Sequence, residues 1–400
     1  MSGWALPSAG KNLAGASPAV PGAPRAMSVA IYLHDLSGGG VERQSLIIAE
    51  EFRRRGADIT LVVHRLRGQL LSQVPAGLRV IDLASPRTLS DVPRLARFLR
   101  AEQPDILLAN VDLNNIAALL AKALGFSRTK VVICQHNPIA AGLFVRKDWM
   151  YRHVGLAYRL LRPLIERAVA VSAGVADELV TIGGIPRERV VTINNPVVGP
   201  DFQSRCEEPV EHRWFGQPDH PLFVTAGRLV ALKDHETMLQ ALAIHRRTCD
   251  SRLIILGTGP METALKSLAD RLGLSGAVDF QGFHSNILPF FRRADAFLLS
   301  SLYEGFGNVI VEALGCGTPV ISTRCEHGPA EILQDGRFGV LVEPHSPEAM
   351  AAAMNQVATL RERFPAELLR RRALDYSYAA CASRYLALCN ALAPNRAWAA

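Results

Sequence analysis

The residues with the plainest chemical potential lie in one run, Glu304-Gly305-Phe306-Gly307-Asn308-Val309-Ile310-Val311-Glu312. Two carboxylates eight positions apart flank a Gly-Phe-Gly turn. The run follows the apolar segment Ala296–Leu299 and leads into a helical pattern over 309–315. Glu304 is therefore expected on a loop and Glu312 on the first turn of a helix. Glycine backbone and the free N–H groups of a helix start suit an anion. A carboxylate beside that positive helix end can accept two neighbouring hydroxyls, as on a ribose. The same residues also fit a capping glutamate followed by a solvent-facing one, a reading the surrounding glycines disfavour.

A second cluster follows the apolar run Leu222–Thr225, in Ala226-Gly227-Arg228-Leu229-Val230-Ala231-Leu232-Lys233. Two cations on one loop between a strand and a helix could neutralise a diphosphate and stabilise its departure without a metal. The chain has no D-x-D sequence, so a metal-bridged nucleotide of that type is not expected. Two glycine turns, Ser37-Gly38-Gly39-Gly40 and Gly257-Thr258-Gly259-Pro260, each sit between a strand-like run and a helical one. Glycine lets backbone approach a phosphate closely, although tight turns also use it for purely steric reasons. Neither turn is a Walker A loop or a complete G-x-G-x-x-G. His136, in Cys134-Gln135-His136-Asn137, follows the apolar run Val131–Cys134, and could face a ligand or be satisfied by a loop carbonyl.

The elements that must hold these residues alternate between β and α. In the first half the strand candidates are Val29–Leu33, Ile59–Val63, Arg79–Leu83, Ile106–Ala109, Val131–Cys134, Val169–Val171 and Val190–Ile193. A helix is expected over Val41–Arg55, with Leu46, Ile47, Ala49 and Phe52 on its buried side. In the second half the candidates are Leu222–Thr225, Leu253–Leu256, Val278–Gln281, Ala296–Leu299, Pro319–Ser322 and Gly339–Val342, with late helices over Pro347–Leu360 and Tyr376–Leu392. Continuous apolar strands alternating with helices call for parallel sheets covered on both faces. The pattern predicts an α/β protein of two Rossmann-like, doubly wound domains facing a central cleft. Ligands in such sheets sit beyond the carboxyl ends of the strands, where these turns fall.

The boundaries read as a disordered leader over 1–26, an N-terminal domain over 27–198 and a Pro- and Gly-rich linker over 199–221. A C-terminal domain over 222–375 and a last helix over 376–393 complete the chain, and Met27 stands directly before the first strand. Four hundred residues exceed one ordinary core, in keeping with two domains. No run approaches the roughly 18 apolar residues of a spanning helix. Residues 1–200 carry 24 Lys+Arg against 15 Asp+Glu, and residues 201–400 carry 20 against 22, so the basic excess belongs wholly to the first half. That half is expected to meet something anionic. Aromatic residues at 6% are too sparse for base-stacking platforms, and no nucleic-acid motif is present. Seven scattered cysteines without C-x-x-C read as reduced thiols.

Taken together, Glu304 and Glu312, Gly227-Arg228 with Lys233, the Gly-Thr-Gly-Pro turn and the N-terminal Gly-Gly loop resemble the family 4 retaining glycosyltransferases. The likeness spans about residues 28–392 and implies a GT-B fold, with donor nucleotide-sugar on the second domain, acceptor mainly on the first, and a last helix crossing back. By that resemblance Arg228 and Lys233 hold the diphosphate and Glu312 the ribose hydroxyls. Glu304 faces the donor sugar near its anomeric carbon, His136 contacts that sugar, and Gly39 closes over the phosphate. Gly257, Gly259, Gly305, Phe306, Gly307, Asn308 and Val309 supply the remaining donor contacts, and neither metal nor cofactor is implied. The run Cys325-Glu326-His327-Gly328-Pro329-Ala330-Glu331-Ile332-Leu333 is similar to one in bacterial members that extend lipid-linked or surface oligosaccharides, several using UDP-N-acetylhexosamines. The implied partners are a nucleotide-sugar, with UDP favoured, and a glycan or polyprenyl-diphosphate-linked acceptor. The alternatives are a soluble sugar or sugar-phosphate acceptor, or a catalytically silent sugar-binding subunit.

Residues 143–167 add a basic amphipathic segment, with six Lys/Arg against two acids interleaved with Trp149, Met150, Tyr151, Leu156 and Leu160. Such a segment suits an anionic bilayer surface, although an ordinary surface helix has the same pattern. The expectation is a cytoplasmic protein in peripheral contact with the inner face of the membrane.

Overall fold

Strands whose side chains are apolar on both sides must be covered on both sides, and the sheets show this. In the computed structural model, which describes residues 26–140 and 153–396, every residue of Val29–Leu33 and of Leu222–Ala226 is buried. The chain divides into two units. The first runs to Val171, resumes over Ala176–Ile193 and ends with the chain from Ala382; the second holds Ser172–Val175 and Asn194–Cys381.

The first unit carries β1 (Ser28–Leu33), β2 (Asp58–Val63), β3 (Arg79–Asp82), β4 (Ile106–Asn110), β5 (Lys130–Gln135), β6 (Arg167–Ala170) and β7 (Val190–Thr192), ordered β3-β2-β1-β4-β5-β6-β7. The second carries β8 (Leu222–Ala226), β9 (Arg252–Leu256), β10 (Val278–Gly282), β11 (Ala296–Leu299), β12 (Val320–Thr323) and β13 (Val340–Val342), ordered β10-β9-β8-β11-β12-β13. Neighbouring strands pair in parallel throughout both sheets. Each order reverses beside the first strand of its unit, the doubly wound Rossmann arrangement, and it places each unit's ligand crevice at that reversal.

The helix Gly40–Arg54 packs Leu46, Ile48, Ala49 and Phe52 into the first core. Ile48 takes the place expected for Ile47, because positions 45, 48, 49 and 52 share one face at 3.6 residues per turn and 47 falls off it. Met27 is fully buried in that core; residues 1–25, where a leader is expected, lie outside the described residues. The final helix Tyr378–Leu392 contributes Ala382, Tyr385, Leu388 and Cys389 to the same core, with the Tyr385 ring 6.4 Å from that of Phe52.

Two expected boundaries change. The stretch 199–221 is no bare linker: it belongs to the second unit, forms a helix over Phe202–Glu207, and buries Phe202, Cys206 and Trp214. The helix expected over Pro347–Leu360 is two, Pro347–Met354 and Val357–Arg363, because Asn355 and Gln356 close one and open the next.

Candidate functional site

The second unit assembles its cations and carboxylates from two neighbouring loops. The chain leaving β8 passes through Gly227 and Arg228 into a single 3-10 turn, Ala231–Lys233. It is zipped along the turn that follows β9: Gly227 N–H donates to Leu256 O at 2.9 Å and Leu229 N–H to Thr258 O at 3.0 Å. Gly257 has a φ of +132°, and a Cβ there would lie 1.9 Å from Gly227 O. A Cβ on Gly259 would lie 2.3 Å from Leu229 O. These glycines thus let the two turns touch backbone to backbone, which fixes where Arg228 emerges. The Arg228 side chain is exposed and has no ion pair among the described residues.

Lys233 and Glu304 meet. Lys233 Nζ lies 2.5 Å from Glu304 Oε1, with their side chains 21% and 11% exposed, and Ser301 Oγ donates to the same carboxylate oxygen at 2.7 Å. The backbones of Lys233 and of Ser301 are anchored in turn, for Ser300 Oγ donates to Lys233 O at 2.8 Å and Thr323 Oγ1 to Ser301 O at 2.6 Å. A half-buried pair with a third hydrogen bond holds its geometry better than a surface pair.

The next turn is over-determined. Gly307, at φ +104°, starts the helix Asn308–Cys316, and no side chain caps that helix. Its first N–H groups are left for a ligand or solvent. Asn195 Nδ2 holds Asn308 Oδ1 at 3.0 Å. Phe306 is buried with its ring 5.2 Å from that of Tyr376, so this residue offers a ligand only its backbone. Glu312 is the fifth residue of the helix and stands on its second turn, not the first, because the helix begins at Asn308.

The Cys325–Leu333 run supports this turn from behind. Tyr303 bridges Glu326, and a Cβ on Gly328, at φ +42°, would lie 1.8 Å from Phe306 O. Burial first, and the Glu304 charge second, push the Cys325 thiol up to about 12. Glu331 holds Asn194 Nδ2 at 2.8 Å. An uncapped helix start, an exposed arginine and a lysine paired to a carboxylate form an anion site with an acidic group beside it.

In the first unit, His136 directly follows β5. Its Nε2 lies 2.9 Å from Asn110 Oδ1, and Asn110 Nδ2 faces Tyr32 O and Leu108 O at 3.4 and 3.5 Å. Those carbonyls assign the Asn110 oxygen to His136, so Nε2 carries the proton. Nδ1 is then a buried acceptor with no partner. Burial pulls the ring down to about 4, so it is neutral at pH 7. The glycine-rich turn behaves differently from its counterpart in the second unit. The left-handed φ, +106°, falls on Gly38, while Gly39 has an ordinary φ of −69°. The Glu42 carboxyl, raised mainly by burial, lies over this helix start, with its Oε2 2.4 Å from where a Cβ on Gly39 would stand. An anion at Gly39 must displace that carboxyl.

Comparison with known proteins decides what such a pair of units is. A model described as Glycosyltransferase Family 4 matches residues 38–198, and one described as Glycosyl transferases group 1 matches residues 211–372. A lipopolysaccharide core biosynthesis glycosyltransferase of Rhizobium meliloti, LpsE, is 32% identical over 334 residues, covering 82% of this chain and 87% of that one. The chain belongs to the family 4, group 1 glycosyltransferases. An N-acetylgalactosaminyltransferase of Campylobacter jejuni, named as acting on a diphospho-undecaprenol-linked sugar, is 26% identical over 236 residues, covering 59% of this chain and 62% of its own. Among solved structures, Anabaena HepE in complex with UDP aligns at a TM-score of 0.74 with 20% identity, covering 91% of this chain and all of that one. The apo lipopolysaccharide outer core galactosyltransferase WaaB aligns at 0.72 with 18% identity, covering 92% and 99%. These likenesses identify the fold as GT-B.

Within this glycosyltransferase, the second unit carries Arg228, Lys233, Glu304 and Gly305 through Gly307 on the loops after β8 and β11, and Asn308 through Glu312 on the helix that follows. Ser301 and Asn195 are the participants the sequence pattern missed, and Gly328, noted there only for its resemblance, takes a packing role. Ser301 stands three residues before Glu304 and was legible as a serine on the same loop, whereas Asn195 lies 113 residues from Asn308 and carries no local signal. Residues 143–152 of the basic segment lie outside the described residues. The helix that follows, Val154–Leu161, buries Val154 and Tyr158 and exposes Leu156 at 54% and Leu160 at 72%. No helix among the described residues is long and apolar enough to cross a membrane.

Proposed function

We propose that this glycosyltransferase moves a hexosyl or N-acetylhexosaminyl group from a nucleotide-diphosphate sugar, with UDP favoured, to a glycan or polyprenyl-diphosphate-linked acceptor in bacterial lipopolysaccharide or related glycoconjugate assembly. It does so with retention of anomeric configuration and without a metal. The observation that carries the reading is the Lys233–Glu304 contact beside the uncapped start of the helix Asn308–Cys316. The matched relatives, named for lipopolysaccharide core and lipid-linked chemistry, and the likeness to a UDP complex support it.

In this reading Arg228 and Lys233 take the diphosphate, and the N–H groups at Asn308 and Val309 add to its charge neutralisation. Lys233 passes from Glu304 to phosphate as donor enters, which frees the carboxylate to face the sugar. Glu312 receives the ribose hydroxyls. Gly257 and Gly259 act through the placement of Arg228. The leaving phosphate oxygen accepts the acceptor's proton as the new glycosidic bond forms, while Glu304 stabilises positive charge at the anomeric carbon and forms no covalent adduct. His136 offers Nδ1 as an acceptor to a sugar hydroxyl. Attachment to an anionic membrane surface through residues 143–167 gains support from the exposed Leu156 and Leu160 beside Arg159.

The test is UDP release from a panel of UDP-sugars supplied with a polyprenyl-diphosphate-linked acceptor in EDTA. Release on acceptor addition, an axial product linkage from an axial donor, and loss of turnover in Glu304→Gln are expected. A trapped glycosyl adduct on Glu304, or strict dependence on a divalent metal, contradicts the mechanism. Failure to sediment with anionic liposomes at low salt contradicts the membrane contact.

A further inference from the structure

Two cysteines far apart in sequence meet inside the second unit. Cys206, on the helix Phe202–Glu207, and Cys316, the last residue of the helix Asn308–Cys316, place their sulfurs 3.1 Å apart. Both are buried, at 0% and 1% exposure. The helices that carry them are locked in register. A Cβ on Gly315 would lie 2.6 Å from the Phe202 ring, Gln203 Nε2 donates to Gly315 O at 3.0 Å, and an Arg292 guanidinium N–H donates to Cys316 O at 3.2 Å. The Cys316 S–H has two acceptors in reach, the Cys206 sulfur at 3.1 Å and Leu288 O at 3.5 Å. A disulfide needs the sulfurs to close by about 1 Å, to roughly 2.05 Å.

We propose that Cys206 and Cys316 are a site of reversible covalent oxidation, closing to a disulfide with hydrogen peroxide as oxidant. The two sulfurs are unequal in a way that suits the chemistry. Contact with Cys316, and the guanidinium charges of Arg292, Arg370 and Arg205, pull the Cys206 thiol down against its burial. Burial, then Cys206 and the charge of Glu312 one turn earlier, push Cys316 up. Cys206 is therefore the attacking thiolate and Cys316 the resolving thiol.

With hydrogen peroxide, the Cys206 sulfur bonds one peroxide oxygen, the O–O bond breaks and hydroxide leaves. The sulfur is oxidised to a sulfenic acid and the peroxide is reduced. The Cys316 sulfur then attacks the Cys206 sulfur, the S–O bond breaks, and the Cys316 proton leaves with the hydroxyl as water. A dithiol reverses the bond by exchange. The product ties the carboxyl end of the helix that bears Glu312 to the segment following Asn195.

The test needs no ligand. The purified full chain is treated with hydrogen peroxide, then alkylated under denaturing conditions and mapped by mass spectrometry, with melting recorded before and after dithiothreitol. The expected result is a Cys206–Cys316 linked peptide. A melting temperature higher by about 5–10 °C should accompany it, as closing a long loop predicts. Dithiothreitol should reverse both, and Cys206→Ser and Cys316→Ser should show neither. Both thiols still alkylatable while Cys249 is oxidised would overturn the proposal. So would sulfinic acid without a link, or a link between other cysteines.

Discussion

Acid should unfold the first unit partly through one histidine. His136 is held neutral by burial, its ring pulled from the ordinary value of 6.5 to about 4. As pH falls through 6.5 the unfolded chain takes up a proton that the folded chain refuses until about 4. The stability this residue contributes is therefore complete above 6.5, lost progressively below it, and gone below about 4. For one such group the loss relative to pH 7.5 is about 0.8 kcal/mol at pH 6 and about 2 kcal/mol at pH 5. Replacing His136 with Asn removes the titrating ring while keeping a polar side chain beside Asn110. Urea unfolding of wild type and variant at pH 7.5 and pH 5.0, followed by a probe in the first unit, reads the difference directly. Groups common to both proteins, His34 among them, cancel. The wild type should lose about 2 kcal/mol more than the variant, roughly 1 M in urea midpoint for a slope near 2 kcal/mol/M. Equal losses would refute the neutral, buried His136 and with it the unpartnered Nδ1 acceptor.

Other perturbations test the second unit. Gly328→Ala sets a Cβ 1.8 Å from Phe306 O at a φ of +42°, and should cost about 2–4 kcal/mol in denaturant stability while weakening nucleotide binding. Unchanged stability would show that the Cys325–Leu333 run does not clamp the turn. Lys233→Met leaves the Glu304 carboxylate half-buried without its cation and should destabilise by about 1–3 kcal/mol, an effect Glu304→Gln relieves in the double variant. Simple additivity would deny the coupling. Glu42→Ala uncovers the backbone at Gly39 and removes the acid from the first turn of its helix, and should lower stability by about 0.5–1 kcal/mol. If Gly39 binds the donor phosphate, this variant should also tighten nucleotide binding, measured by calorimetry.

The doubly wound class was legible because most strands are short apolar runs followed by helical ones, as Val29–Leu33 and Leu253–Leu256 are, whereas the edge strand β3, Arg-Val-Ile-Asp, carries little such signal. Glu304, Arg228 and Lys233 were legible because turns after strands are where such folds expose side chains. What local pattern hides is who holds whom. Nothing near Lys233 shows that its amine meets Glu304 rather than solvent, and nothing near Gly257 shows that its missing Cβ makes room for Gly227 O. The segment 199–221 looked like a linker because a six-residue helix is too short for its periodicity to register. Its partners, Gly315 and Cys316, lie more than a hundred residues away. The helix starts at Gly40 and Asn308 look alike in sequence, both following glycines. The Glu42 carboxyl, lying over Gly39, distinguishes the covered start from the uncapped one at Asn308.

The most direct measurement of the central claim is thermal denaturation of the wild type and Glu312→Ala with UDP, GDP or ADP in the presence of EDTA. A ligand held by the folded state alone raises the melting temperature by mass action, by the equivalent of about 2.7 kcal/mol at a hundredfold excess over Kd. The account predicts a clear rise with UDP that persists in EDTA and is lost in Glu312→Ala. No rise with any nucleotide, or an equal rise in the variant, would contradict it.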